Sequence, residues 1–115
     1  MLNKRKFYIN GQWLDPIKPY DCNVINPSTE ENCAVISIGS KEDVNAAVKS
    51  AKDAFNDWAF TSKEEKIKLL ETLYSNYKKR WADFANAITM EMGAPKDFAT
   101  KLQAGTGASH MKSFI

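Results

Sequence analysis

Histidine occurs once in this chain, at His110, and cysteine twice, at Cys22 and Cys33. A lone histidine cannot seed a histidine-based metal cluster, and two cysteines eleven positions apart do not complete a zinc site without a second pair. No carboxylate dyad or serine triad gathers around His110, so it reads as a partly exposed packing residue rather than a catalytic one. Long apolar runs are missing too. No uncharged stretch approaches the length of a bilayer-spanning helix. The basic opening Met1-Leu2-Asn3-Lys4-Arg5-Lys6 has no apolar segment of the kind a secretory signal needs. The expectation is a cytoplasmic protein with no membrane partner, whose cysteines are reduced rather than paired.

An excess of charge of one sign is also absent. Sixteen Lys and Arg against fourteen Asp and Glu leave a net +2, which gives no electrostatic case for nucleic acid as a partner. The two basic clusters are Lys4-Arg5-Lys6 and Lys78-Lys79-Arg80; neither sits in a recognisable nucleic-acid-binding module. The second reads as a solvated helix end, where cations meet the negative pole of the helix dipole. Asn26-x-Ser28 is excluded as a glycosylation acceptor because its middle residue is Pro27. With 43% hydrophobic and 26% charged residues, the chain is too apolar for a disordered tail and too polar for a membrane protein.

What is present divides into a strand-rich front, residues 1–39, and a helical back, residues 40–115. Phe7-Tyr8-Ile9 and Gln12-Trp13-Leu14 flank Asn10-Gly11, a dipeptide suited to a type I′ turn because both positions need positive φ; a tight hairpin is predicted. Residues 22–25 and 33–38 form a second pair of short apolar runs around the turn-forming Asn26-Pro27-Ser28-Thr29-Glu30-Glu31.

Ser40 and Asp43 open a helix in capping-box style, and Ser62 with Glu65 repeats the pattern. Val44, Ala47, Val48, Ala51, Ala54, Phe55 and Trp58 recur at three- and four-residue spacing, which predicts one buried stripe. Ile67, Leu70, Tyr74, Tyr77 and Trp81 trace a face on the second helix, widened by Leu69 and Leu73. A third helix, about 82–92, carries Phe84, Ala85, Ile88 and Met92 inward and stops at Gly93 with Pro95 beyond. Residues 96–115 begin as helix, with Phe98 and Leu102 on one face, after which Gly105 and Gly107 weaken it. Gly105-x-Gly107-x-x-His110 imitates a dinucleotide fingerprint but lacks the third glycine and follows no strand. The aromatic set Trp58, Tyr74, Tyr77 and Trp81 reads as packing, as do Met90 and Met92. So much amphipathic helix beside so little sheet implies either a small bundle or helices covering a sheet formed by other sequence. The last element shows no stop signal, which suggests a fragment.

Four of these segments, in this order and at these intervals, resemble the N-terminal part of the aldehyde dehydrogenase superfamily. Ile9-Asn10-Gly11 and Trp13 match its opening hairpin. Asn26-Pro27 with Thr29 is similar to its Asn-Pro-x-Thr turn. Asp43-Val44, Ala47, Ala51, Ala54-Phe55 and Trp58 match its first helix. Leu70, Leu73, Ala85, Glu91, Gly93 and Pro95 match the next two helices and the Glu-x-Gly-x-Pro turn.

The resemblance implies an α/β fold: N-terminal β-hairpins followed by about four helices, with residues 1–115 forming an incomplete Rossmann-like NAD(P)-binding domain. It implies the N-terminal part of an NAD(P)-dependent enzyme that oxidises an aldehyde to a carboxylic acid. In that family a cysteine nucleophile, a glutamate base and an asparagine of the oxyanion hole do the chemistry. All three, with the main cofactor contacts, are expected beyond Ile115. Neither Cys22 nor Cys33 lies in the Gln-x-Cys context of the family's nucleophile. No catalytic, cofactor-binding or metal-binding residue is therefore assigned here, and the chain alone is expected to be inactive.

NAD or NADP is expected in the complete enzyme and no cofactor on this chain alone. The implied partners are the remainder of the polypeptide and, when complete, further copies in a homo-oligomer. Some members hold a monovalent cation through carbonyls near the Asn-Pro-x-Thr turn, here Val24 and Ile25, and an aspartate whose position falls at or near Gln103. Lys66 stands where the family commonly has arginine. A free-standing helical protein-interaction module is the alternative reading.

Overall fold

The structure, a computed structural model, describes residues 1–115. Five strands precede the helices: β1 (Leu2–Lys4), β2 (Phe7–Ile9), β3 (Gln12–Leu14), β4 (Asp21–Asn26) and β5 (Glu31–Ser37). The helices are α1 (Lys41–Ala59), α2 (Lys63–Lys79), α3 (Trp81–Met92), α4 (Lys96–Phe98) and α5 (Ala104–Ser113), with a π-helical turn at Ala99–Gln103 joining the last two. The contacts divide the chain into two compact units: Met1–Ile25 with Glu30–Phe60, and Asn26–Thr29 with Thr61–Ile115.

In the first unit, β2 and β3 form an antiparallel hairpin with Ile9 opposite Gln12, so that Asn10 and Gly11 alone make the loop. Both adopt positive φ, at 52° and 75°, as a type I′ turn requires. Tyr8 and Trp13 face one another across the strands, ring centroids 5.2 Å apart. The other sheet runs β1-β5-β4, and its central strand β5 carries the buried Ala34, Val35 and Ser37. β1 was not foreshadowed: Leu2-Asn3-Lys4 is exposed throughout, shows no alternation, and owes its conformation to parallel pairing with 34–36 of β5.

The Ser40 capping box forms as expected. The Ser40 hydroxyl accepts from the Asp43 amide, and the Asp43 carboxylate accepts from the Ser40 amide. That carboxylate also accepts from the Ile17 amide at 3.0 Å, tying the loop before β4 to the first turn of α1. Asp43 is accordingly buried, at 6% exposure. The expected burial of the α1 stripe does not occur. Val44, Val48, Phe55 and Trp58 are between 49% and 62% exposed. Their spacing puts them on one face, yet those side chains stay largely open to solvent.

In the second unit the core is built on alanine. Ala85 of α3, Ala99 of the π turn and Ala104 of α5 are buried together, with Trp81, Ile88 and Ala94 packed against them. Small side chains let these helices approach closely, and the close approach is what excludes water. Tyr77 stacks on Phe84, centroids 4.2 Å apart, and meets Trp81 edge-on. The helix through 104–113 continues across Gly105 and Gly107 despite their low propensity. A Cβ on Gly107 would come 2.8 Å from the Tyr77 hydroxyl, and one on Gly105 would touch the Trp81 ring. The glycines are there to receive those aromatics. Met92, Leu69 and Leu73 are exposed, contrary to the inward positions their spacing suggested. Phe98 and Leu102 also lie open.

Candidate functional site

The Asn-Pro-x-Thr turn and the Glu-x-Gly-x-Pro turn come together in the second unit. Gly93 closes α3 in the left-handed conformation, φ 68°, its amide bonding the Thr89 carbonyl. A Cβ there would lie 2.8 Å from Pro27 Cγ and 3.4 Å from Ser28 Oγ. Glycine is therefore required twice over, by dihedral angle and by the seat it provides for Pro27. The Pro27 turn is itself fixed locally: the Ser28 amide donates to Asn26 Oδ1 at 2.9 Å and the Thr29 amide to the Asn26 carbonyl. Two motifs sixty-odd residues apart are thus halves of one joint.

A second constellation surrounds the π turn. Trp81 Nε1 donates to the Thr100 carbonyl and the Tyr77 hydroxyl to the Ala104 carbonyl, each at 2.9 Å. A π turn shifts the helical ladder by one residue, so side-chain donors to carbonyls on this segment stabilise a turn that is rarely stable alone. Neither the π turn nor these two bonds was legible, because helical spacing marks Tyr77 and Trp81 as packing residues without saying what their polar ends reach.

The titratable groups sit in caps and ion pairs. Asp21 is held below the usual carboxylate range by the Arg5 guanidinium, which binds it through two bonds of 2.7 Å. Glu42 is lowered chiefly by Lys18, Asp43 by the Ile17 amide and Glu65 by the Ser62 hydroxyl. A general base working near neutral pH needs a carboxylate shifted the other way. Cys22 and Cys33 are free and half-buried; the Cys33 thiol donates to the Val24 carbonyl at 3.3 Å. His110 is exposed on α5 rather than packed.

No group of three or more His, Cys, Asp or Glu side chains is placed to hold a metal. Gln103, at the position the resemblance gives to an aspartate, keeps Oε1 buried without a hydrogen-bond partner. A neutral amide oxygen offers a cation no compensating charge, so the residue does not fit the family's carboxylate ligand. No helix is long and apolar enough to cross a membrane.

The α/β architecture with its strands ahead of the helices is that of the N-terminal region of an NAD-binding domain of aldehyde dehydrogenase type. The aldehyde dehydrogenase family model matches residues 13–115. A 3-succinoylsemialdehyde-pyridine dehydrogenase from a Pseudomonas species is 42% identical over 96% of this chain and 23% of its own length. The crystal structure of an aldehyde dehydrogenase from Bartonella henselae superposes with a TM-score of 0.96 at 54% identity, over 97% of this chain and 24% of that one. Aldehyde dehydrogenase C from Pseudomonas syringae, a mutant crystallised with NAD+ and octanal, gives a TM-score of 0.92 at 37% identity, over 94% of this chain and 22% of that one. The chain belongs to the aldehyde dehydrogenase family, and it spans about a quarter of the length of the relatives it matches.

Proposed function

We propose that this chain is the opening segment of an NAD(P)-dependent aldehyde dehydrogenase that oxidises an aldehyde to a carboxylic acid, and that alone it is inactive. The observation that carries this reading is the match of nearly the whole chain to about a quarter of each relative. Neither Cys22 nor Cys33 lies in the Gln-x-Cys context of the family's nucleophile, which supports placing the reacting groups in other sequence. NAD+ is the favoured cofactor of the complete enzyme, since the Pseudomonas syringae relative was crystallised with it. This segment contributes scaffold: the Pro27–Gly93 joint, the capped helices, and an α1 face left for the remainder of the polypeptide to cover. The complete protein is a cytoplasmic homo-oligomer.

The alternative, a free-standing interaction module, draws on the same open face of α1. It gives no reason for identities of 42% and 54% to enzymes. A chimera separates the two. Replacing the matching segment of the Bartonella henselae enzyme with this chain should preserve aldehyde-dependent reduction of NAD+, while the chain by itself should give none. A soluble, folded chimera without activity would overturn the assignment; NAD+ reduction by the isolated chain would overturn its inactivity.

A further inference from the structure

The hairpin loop holds a bond that chemistry singles out. Asn10 is followed by Gly11, and none of the other asparagines, Asn3, Asn23, Asn26, Asn32, Asn45, Asn56, Asn76 and Asn86, precedes a glycine. Asn10 is exposed, and no hydrogen bond ties down its side-chain amide. A Cβ built on Gly11 would meet nothing within 4 Å, so no other part of the chain packs against the side of the loop it would occupy. We propose that Asn10–Gly11 is a site of spontaneous covalent modification, at which water converts asparagine to isoaspartate and aspartate.

The step needs no enzyme and no oxidant. The Gly11 nitrogen gives up its proton and bonds to Asn10 Cγ. The Cγ–Nδ2 bond breaks, and ammonia leaves with that proton. Water then opens the resulting five-membered imide. Attack at Cγ yields aspartate; attack at the Asn10 main-chain carbonyl carbon yields isoaspartate, with the chain continuing through the side chain. Glycine matters because it has no Cβ to hinder the attacking nitrogen. Asn26 cannot react this way, since Pro27 has no N–H.

The folded loop opposes the reaction. A left-handed turn holds Asn10 at φ 52°, and closing the ring requires the backbone to leave that turn. The restraint is weak, however. The sheet is two strands of three residues, and β3 is exposed at every position. Such a hairpin is marginal by itself and opens locally at small cost. The isoaspartyl product lengthens the main chain by one methylene within a two-residue loop, which no longer fits a type I′ turn. The Tyr8–Trp13 register is then lost, so the modification releases β3.

The test is to incubate the 115-residue chain at mildly alkaline pH, with and without urea, and to follow peptides by mass spectrometry with isoaspartate-specific methyl labelling. The peptide containing Asn10 should exchange NH2 for OH before any other asparagine, with isoaspartate the larger product, and several-fold faster in urea. Asn10→Gly keeps a residue that accepts positive φ and should abolish the conversion in that peptide. Another asparagine converting first, or Asn10 intact when others have converted, would overturn the proposal.

Discussion

The two units differ in what their helices bury, although both leave large apolar side chains exposed. In the second, α3, the π turn and α5 bury Ala85, Ala99 and Ala104 against one another, and the aromatics Tyr77, Trp81 and Phe84 pack among themselves. In the first, α1 leaves Val44, Val48, Phe55 and Trp58 about half or more exposed. Amphipathic spacing is equally clear in both. Spacing therefore reports which side chains share a face; whether the face is covered depends on what stands opposite. Large apolar residues along one face of α1 form an apolar patch open to solvent.

That contrast can be broken most severely through α1. Phe55→Ala should change the stability of the isolated chain by no more than about 0.5 kcal/mol, as for other exposed positions. In the chimeric enzyme, with the face covered, it should cost about 3 kcal/mol or more, read from urea midpoints. Equal small effects in both contexts would mean that nothing docks there.

Within the second unit, Gly93→Ala meets both a left-handed φ and Pro27, and should cost about 2–3 kcal/mol. The loss should be smaller when Pro27→Ala is made as well, a coupling that a double-mutant cycle measures. Gly107→Ala pushes the Tyr77 hydroxyl from the Ala104 carbonyl and should cost about 1–2 kcal/mol, with Tyr77→Phe less than additive to it.

In the first unit, Ser40→Ala removes the cap of α1 and should cost about 1 kcal/mol. The smallest effect is on pH dependence. Asp43 is held below its ordinary range, first by the Ile17 amide, so its contribution is present above the unfolded-state pKa. It is lost as pH falls through the folded-state pKa. Asp43→Asn should therefore lower stability at neutral pH and flatten its decline on acidification, as urea midpoints across that range would show.

Local rules were legible wherever the controlling interaction is local. Asn10-Gly11 specified its turn, Ser40 and Ser62 their capping boxes, and Gly93 its C-cap, because each depends on dihedral preference or on a partner three residues away. The continuation of α5 through Gly105 and Gly107 was not legible. Its cause is Tyr77 and Trp81, on the preceding helices, and propensity carries no record of them. β1 escaped for a related reason: its pairing with β5 joins residues about thirty positions apart, with no alternation at either Leu2 or Lys4 to announce it. Burial was misjudged at Phe55, Trp58 and Met92, where the period is correct but the side chains stay largely exposed, because periodicity does not report what packs on a face. The Pro27–Gly93 joint was visible only as two separate motifs.

Hydrogen exchange of α1, compared between the isolated chain and the Bartonella henselae chimera, addresses most directly the claim that this segment is completed by further sequence. The account predicts amides of 44–58 that exchange rapidly in the chain alone and become strongly protected in the chimera, while those of α3 change much less. Equal protection of α1 in both would contradict it.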